Sequence, residues 1–347
     1  MIEAGKGNLL EADVEALVNT VNCVGHMGKG IALQFKQAYP ENFAAYQKAV
    51  RAEQVRPGSM FVFETGLVIN PKYIINFPTK RHWRGKSRLE DIDSGLVALV
   101  REIKARGIRS IAVPPLGCGN GGLDWNVVRP RILKALEPLS DLQVLLYAPS
   151  GAPDPVQMPV RTEKPHMTPA RALFVKAIDQ YRQLAYRLTL LEIQKLAYFL
   201  QEAGEPLRLR YEAGHYGPYA QNLNNVLERI EGHFIRGYGD SQKPDVEIDL
   251  MDGAVEQADE FLREHNESKA RLERVSALIA GFETPYGMEL LSSVHWVATH
   301  GEPKAQSAES ATNAVHDWNE RKRNMFKPEH IAVAWHRLNE EQWVPDA

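Results

Sequence analysis

Between Pro149 and Pro169 the chain reads PSGAPDPVQMPVRTEKPHMTP, six prolines with no apolar period. Proline fixes φ and lacks a backbone N–H, so such a run neither continues a helix nor joins a sheet, and it serves as an extended, semi-rigid connection. At 347 residues the chain is long for one core, and this break makes it two bodies, each with its own. The reading is a first domain over residues 1–150, a proline-rich linker over 151–168 and a second domain over 169–347.

The two sides are written in different periods. In the first, EALVNTVN (15–22), SMFVFET (59–65), KYIINFP (72–78), SIAVPPL (110–116) and LQVLLYA (142–148) read as strands. Helical patterns lie between them: Gly30 to Tyr39, Pro40 to Glu53, LEDIDSGLVALVREIKARG (89–107) and Asp124 to Leu136. The third of these has acids in its first turn, cations in its last and Gly107 as a stop. Strands alternating with helices predict a three-layer α/β/α domain on a mostly parallel sheet. Beyond the linker helix signals dominate. Thr189 to Glu192 spell a capping box ahead of an apolar stripe that stops at Gly204, and Thr284-Pro285 is a cap followed by proline at the first helical position. The second domain is expected to be mostly α-helical.

Net charge divides along the same line. Residues 1–167 carry 21 Lys and Arg against 16 Asp and Glu, a net +5, and residues 168–347 carry 20 against 28, a net −8. Opposite signs on two bodies suggest a polyanionic partner for one and a basic partner for the other. Ten of the acids fall between Asp240 and Glu267, with only Lys243 and Arg263 among them; Asp245, Glu247, Asp249 and Asp252 are the candidate contacts of that run. A run of this kind is equally the solvated face of a helix.

Several classes are excluded. The first residues have neither a basic nor an apolar signal region, and no stretch approaches the ~20 apolar residues of a membrane span. A cytoplasmic protein without a membrane partner is expected. Cys23 and Cys118 are the two cysteines, too few for a disulfide framework or a cysteine-rich zinc site, and no metal or cofactor is expected.

Three segments carry candidate chemistry. NTVNCVGHMGKGIALQF (19–35) passes from strand through Gly25, Gly28 and Gly30 into a helix, and PPLGCGNGGLDW (114–125) does the same with Gly117, Gly119, Gly121 and Gly122. Neither has dinucleotide or P-loop spacing. Two such loops at one end of a sheet can cradle a diphosphate through backbone N–H groups, whereas each alone is as well explained by a tight turn. The third segment, NFPTKRHWRGK (76–86), delivers Lys80, Arg81, His82, Trp83, Arg84 and Lys86 where a strand ends. Cations interleaved with an aromatic suit single-stranded nucleic acid, and also suit an ordinary solvated loop.

Taken together, GNL…EALVNTVNCVGHMGKGIALQFKQAYP and VPPLGCGNGGLDW resemble the macrodomain family of ADP-ribose-binding modules over residues 1–150. The MGKGIALQF stretch and the place of Lys80 resemble most the branch that includes terminal ADP-ribose glycohydrolase and DarG-type antitoxins. IQKLAYFLQEAG…YEAGHYGPYAQNLNNVL, in the second half, resembles helical antitoxin domains of the Panacea type. The two-domain layout favours the DarG type, a DNA ADP-ribosyl glycohydrolase paired with a DarT-like DNA ADP-ribosyltransferase toxin.

The resemblance implies a site. Asn8 and Leu9 fall where the family holds adenine, with Asn8 in place of the usual aspartate. Thr20, Val21 and Asn22 border the distal ribose; Gly28, Lys29, Gly30 and Ile31 hold one side of the diphosphate. Leu116, Gly117, Cys118, Gly119, Asn120, Gly121 and Gly122 close the other side. Lys80 takes the catalytic-lysine position, its amine activated by neighbouring cations, with Arg81, His82, Trp83 and Arg84 contacting DNA. The family's loop aspartate is absent from GNGG, and Asp124 reads equally as a helix cap, so no catalytic acid is assigned. The implied partners are ADP-ribose, ADP-ribosylated single-stranded DNA and the toxin. A non-catalytic ADP-ribose reader, or a hydrolase of protein-linked or phosphorylated ADP-ribose, fits the glycine loops as well.

Overall fold

The computed structural model describes residues 1–149, 158–183, 188–239 and 245–344. Contacts divide the chain into one unit of Met1–Glu163 with residues 239–242 and a second of Lys164–Tyr238 with residues 243–347. Part of the expected linker, residues 150–157, lies outside the described residues, as does Asp240. Residues 158–163 of the linker cluster with the first unit: Met158 packs on its core and Arg161 N donates to Gln37 O.

The first unit is built on strands β1 (Ile2–Ala4), β2 (Ala16–Asn22), β3 (Phe61–Glu64), β4 (Tyr73–Lys80), β5 (Ser110–Val113) and β6 (Gln143–Leu146). They stand in the order β1-β6-β5-β2-β4-β3, all parallel except β3, which runs against β4. Helices α1 (Gly30–Ala38) and α2 (Pro40–Arg51) follow β2; α3 (Leu89–Arg106) and α4 (Trp125–Leu136) precede and follow β5. Both faces of the central strands are buried, which is why their sequences read as near-continuous apolar runs. Ala16, Val18, Ile75 and Phe77 face a core completed by α3 and α4; Leu17 and Ile74 face another with Phe35 and Tyr39. Each fully buried Leu or Phe contributes roughly 1.5–3 kcal/mol. Gly95 of α3 is required by this packing, since a Cβ there would lie 2.2 Å from the Phe77 ring.

The second unit centres on α6 (Leu190–Glu202) and α10 (Pro285–Thr299), buried on nearly every side. Around them lie α5 (Pro169–Gln183), α7 (Leu223–Ile230), α8 (Ala254–Leu262), α9 (Asn266–Ile279), α11 (Ala308–Trp318), α12 (Glu320–Met325) and α13 (Pro328–Glu340). The Thr189 capping box and the Thr284 cap both form. Two short antiparallel pairs add to the helices, β7 (Tyr211–Gly214) with β8 (Gly217–Ala220) and β9 (Ile235–Arg236) with β10 (Asp249–Leu250). No helix among the described residues is long and apolar enough to cross a membrane.

Candidate active site

Strand order makes the site. The chain leaves β2 toward β4 on one side and returns from β4 through α3 to β5 on the other, so the carboxyl ends of β2, β4 and β5 flank a switch point where α/β sheets hold ligands. The three segments singled out in the sequence follow these three strands.

Along β2 and β4 the register runs evenly from Ala16 opposite Tyr73 to Val21 opposite Pro78, then slips so that Asn22 stands opposite Lys80. The slip falls where Pro78 has no N–H to donate. Lys80 ends half-buried at the carboxyl end of β4, and desolvation draws its pKa below the usual lysine value. The expected cause was neighbouring cations, and this is corrected: burial alone lowers it. Arg81, the adjacent cation, is gripped by Asp91 of α3 in a fork of 3.0 and 3.1 Å, which offsets its charge. Among the described residues no carboxylate pairs with Lys80, and Asp124 caps α4 by accepting from Asn126 N at 2.9 Å.

The first glycine loop leads into α1, which starts at Gly30 with no side-chain cap from Lys29, leaving its first-turn N–H groups aimed out of the helix. Gly30 N donates to the carbonyl of Gly239, which clusters with this same unit. Gly30 has φ +59°, and a Cβ there would lie 3.1 Å from Asn120 Nδ2, so the two loops face each other closely. In the second loop Gly121 admits no side chain, because a Cβ would meet Ser87 Oγ and Gly117 O at 2.2 and 2.3 Å. Its turns consume the N–H groups of Cys118, Gly122 and Leu123, while those of Gly119, Asn120 and Gly121 find no acceptor among the described residues. Successive donors left open in this way form an anion-binding concavity.

The remaining expected residues sit around these loops. Leu116 is fully buried beneath the second loop, and Gly28 is buried beside the half-exposed Lys29 and Ile31. Thr20 and Val21 lie at the end of β2. Asn22 is committed to its own loop: its Oδ1 accepts from Val24 N and His26 N, its Nδ2 donates to His26 O, and Tyr46 donates to its carbonyl. Asn8 is likewise engaged, Oδ1 accepting from Leu10 N at 3.0 Å beside the buried Leu9, and Nδ2 reaching Met158 Sδ at 3.6 Å. The basic loop is tied down at both ends, by Ser87 N donating to Gly121 O and by Trp83 lying 5.6 Å from the His26 ring. His82 stacks on Trp83 at 5.4 Å, and Arg84 covers the indole at 4.6 Å. His26 carried no sequence signal; a lone exposed histidine in a glycine loop has no period or spacing to betray it. No group of His, Cys, Asp and Glu among the described residues is placed to hold a metal ion.

Comparison with known proteins agrees with this geometry. The Macro domain family matches residues 18–132. A DNA ADP-ribosyl glycohydrolase of Thermus aquaticus is 47% identical over 96% of this chain and 92% of its own length. One of Mycobacterium tuberculosis is 44% identical over 97% of this chain and 99% of its own length. A DNA ADP-ribosyl transferase–DNA ADP-ribosyl glycohydrolase fusion protein of Thermosipho africanus is 33% identical over 42% of this chain and 41% of its own. The chain therefore belongs to the DarG-type DNA ADP-ribosyl glycohydrolase family of macrodomain proteins.

Proposed function

We propose that the protein removes ADP-ribose from a nucleobase of single-stranded DNA and acts as the antitoxin of a DNA ADP-ribosyltransferase. The observation that carries this reading is Lys80, half-buried with its pKa lowered, beside facing glycine loops with unfilled backbone donors. Near-full-length likeness to two DNA ADP-ribosyl glycohydrolases supports the substrate class.

In this mechanism the loops hold the diphosphate and present the anomeric carbon of the distal ribose to Lys80. The bond from that carbon to the base nitrogen breaks, and the base keeps the electron pair and takes a proton. Neutral Lys80 Nζ bonds to the carbon, supplying that proton, and the sugar ring opens to a Schiff base. Water then replaces the amine, and ADP-ribose leaves. A lowered pKa serves this step by raising the neutral fraction. Arg84, His82 and Trp83 contact the strand, whereas Arg81 is held by Asp91, which offsets its charge.

The second unit neutralises the toxin by binding it. Its support is the exposed Asp245, Glu247, Asp249 and Asp252, whose backbone is anchored through the β9–β10 pair and through Leu190 N donating to Val246 O. An acidic surface held this way suits the basic groove that a DNA-modifying enzyme needs. The fusion of transferase and glycohydrolase in the Thermosipho relative fits such a pairing. The test is release of ADP-ribose from an oligonucleotide modified by a DNA ADP-ribosyltransferase. Wild-type protein releases it and Lys80→Ala does not. Tight ADP-ribose binding without release would leave a reader of the modification.

A further inference from the structure

One buried hydroxyl in the first unit has nothing to bond. Ser87 lies between the basic loop and α3, is 7% exposed, and its Oγ has no hydrogen-bond partner among the described residues. Its backbone is fixed by Ser87 N donating to Gly121 O at 3.0 Å. The side chain is pressed against the second glycine loop: a Cβ on Gly121 would lie 2.2 Å from Ser87 Oγ, and one on Gly117 would lie 3.1 Å from it. Glycine at both positions is what lets the hydroxyl come so near the loop backbone. A buried hydroxyl left unpaired costs stability, and alanine in the same place would carry no such cost.

The same loop carries the open backbone donors. The N–H groups of Gly119, Asn120 and Gly121 find no acceptor among the described residues, and Gly121 is one of the two glycines the hydroxyl lies against. Three amides and one hydroxyl of a single turn thus lack acceptors among the described residues, and an oxyanion with several acceptor oxygens is the ligand that supplies them. Cβ positions on Gly119 and Gly122 meet nothing within 4 Å, so the loop has room to shift as the anion enters. We propose that Ser87 is a further ligand-binding residue: its hydroxyl donates to a phosphate oxygen of the diphosphate held by the second glycine loop. This rests on the ADP-ribose site read above, and adds to it a side-chain donor from outside both glycine loops.

The test uses the full chain, because a binding hydroxyl and a structural one move different readouts. Ser87→Ala lowers ADP-ribose affinity, measured by calorimetry, by about tenfold or more, the range of one lost hydrogen bond to a charged group. The melting temperature of the ligand-free variant equals or exceeds that of the wild type, since an unpaired buried hydroxyl has been removed. Ser87→Cys keeps the shape of the side chain with only a weak donor, and it loses affinity as alanine does. Saturating ADP-ribose raises the melting temperature of the wild type more than that of either variant. Unchanged ADP-ribose affinity in Ser87→Ala overturns the inference, as does Ser87→Cys binding like wild type. A lowered melting temperature of ligand-free Ser87→Ala also overturns it, because the hydroxyl would then belong to the fold. Wild-type protein with no measurable ADP-ribose affinity overturns it together with the site reading.

Discussion

Two regions of this molecule hold lysines whose pKa is lowered by burial, and they do opposite things with them. In the first unit Lys80 is half-buried at the end of β4, with no carboxylate partner among the described residues and open backbone donors nearby. In the second, Lys195 and Lys322 are wholly enclosed beneath the β7–β8 hairpin. Lys195 donates to Pro218 O at 2.7 Å, and Lys322 bonds Glu289 at 2.8 Å and Ser293 at 3.0 Å. Arg321 takes the same Glu289 oxygen at 2.6 Å and covers the Tyr216 ring. Burial draws Lys195 down to about 7, with Lys322 adding repulsion. The buried cluster pairs its charges internally, so it specifies a fold; Lys80 and the second glycine loop leave donors open among the described residues. A shifted pKa marks a reactive site only where access and unfilled hydrogen-bonding capacity accompany it.

The contrast breaks first at Lys80. Lys80→Ala is expected to lower turnover on modified DNA by on the order of 10²–10⁴-fold, with ADP-ribose affinity within a few-fold. Lys80→Arg should not rescue it, because a guanidinium stays protonated. In the wild type kcat/KM should rise with pH and level off below the 10.5 of an ordinary lysine. Single-turnover assays across pH check both; substantial turnover in Lys80→Ala would return Lys80 to the status of a surface cation.

The loops come next. Gly30→Val forces a β-branched residue to φ +59° against Asn120, at roughly 1–3 kcal/mol. It should weaken ADP-ribose binding more than Lys29→Ala does. Calorimetry giving Gly30→Val the wild-type affinity would move the diphosphate elsewhere.

For the second unit, reversing Asp245, Glu247, Asp249 and Asp252 to lysine should slow association with a cognate transferase by about tenfold or more and leave hydrolysis by the first unit untouched. Added salt should slow the wild type in the same direction. Unchanged toxin inhibition by this variant would reject the acidic patch as the contact.

The smallest effect concerns the closed cluster. Lys195 binds its proton less tightly when folded, so between about pH 7 and 10.5 the unfolded chain holds the extra proton and stability rises with pH. Lys322, lowered in the same direction, adds to that slope. Lys195→Met should flatten it in thermal unfolding of the full chain followed from pH 7 to 10. A slope identical to wild type would mean that Lys195 stays charged in the folded protein.

Much of the architecture is legible in the sequence, because its signals are local. The helix over Leu89–Arg106 is announced by acids at its start and by Gly107, which adopts the left-handed φ of 64° that a helix stop requires. Runs such as KYIINFP read as strands because both their faces are buried. By contrast β1 is three residues long, and the β7–β8 hairpin is written in glycine, proline and histidine, so neither has enough period to register.

The sequence by itself determined the α/β and helical characters of the halves, both glycine loops and the basic loop after a strand. Each of these rests on side-chain period or allowed φ, which act over a few residues. Only the tertiary structure decided that Lys80 stands opposite Asn22, that Asp91 offsets Arg81, that His26 meets Trp83 and that two lysines share a closed core with Glu289. Those outcomes depend on strand order, on a register slip at Pro78 and on how much water is excluded, quantities set by distant parts of the chain packing together.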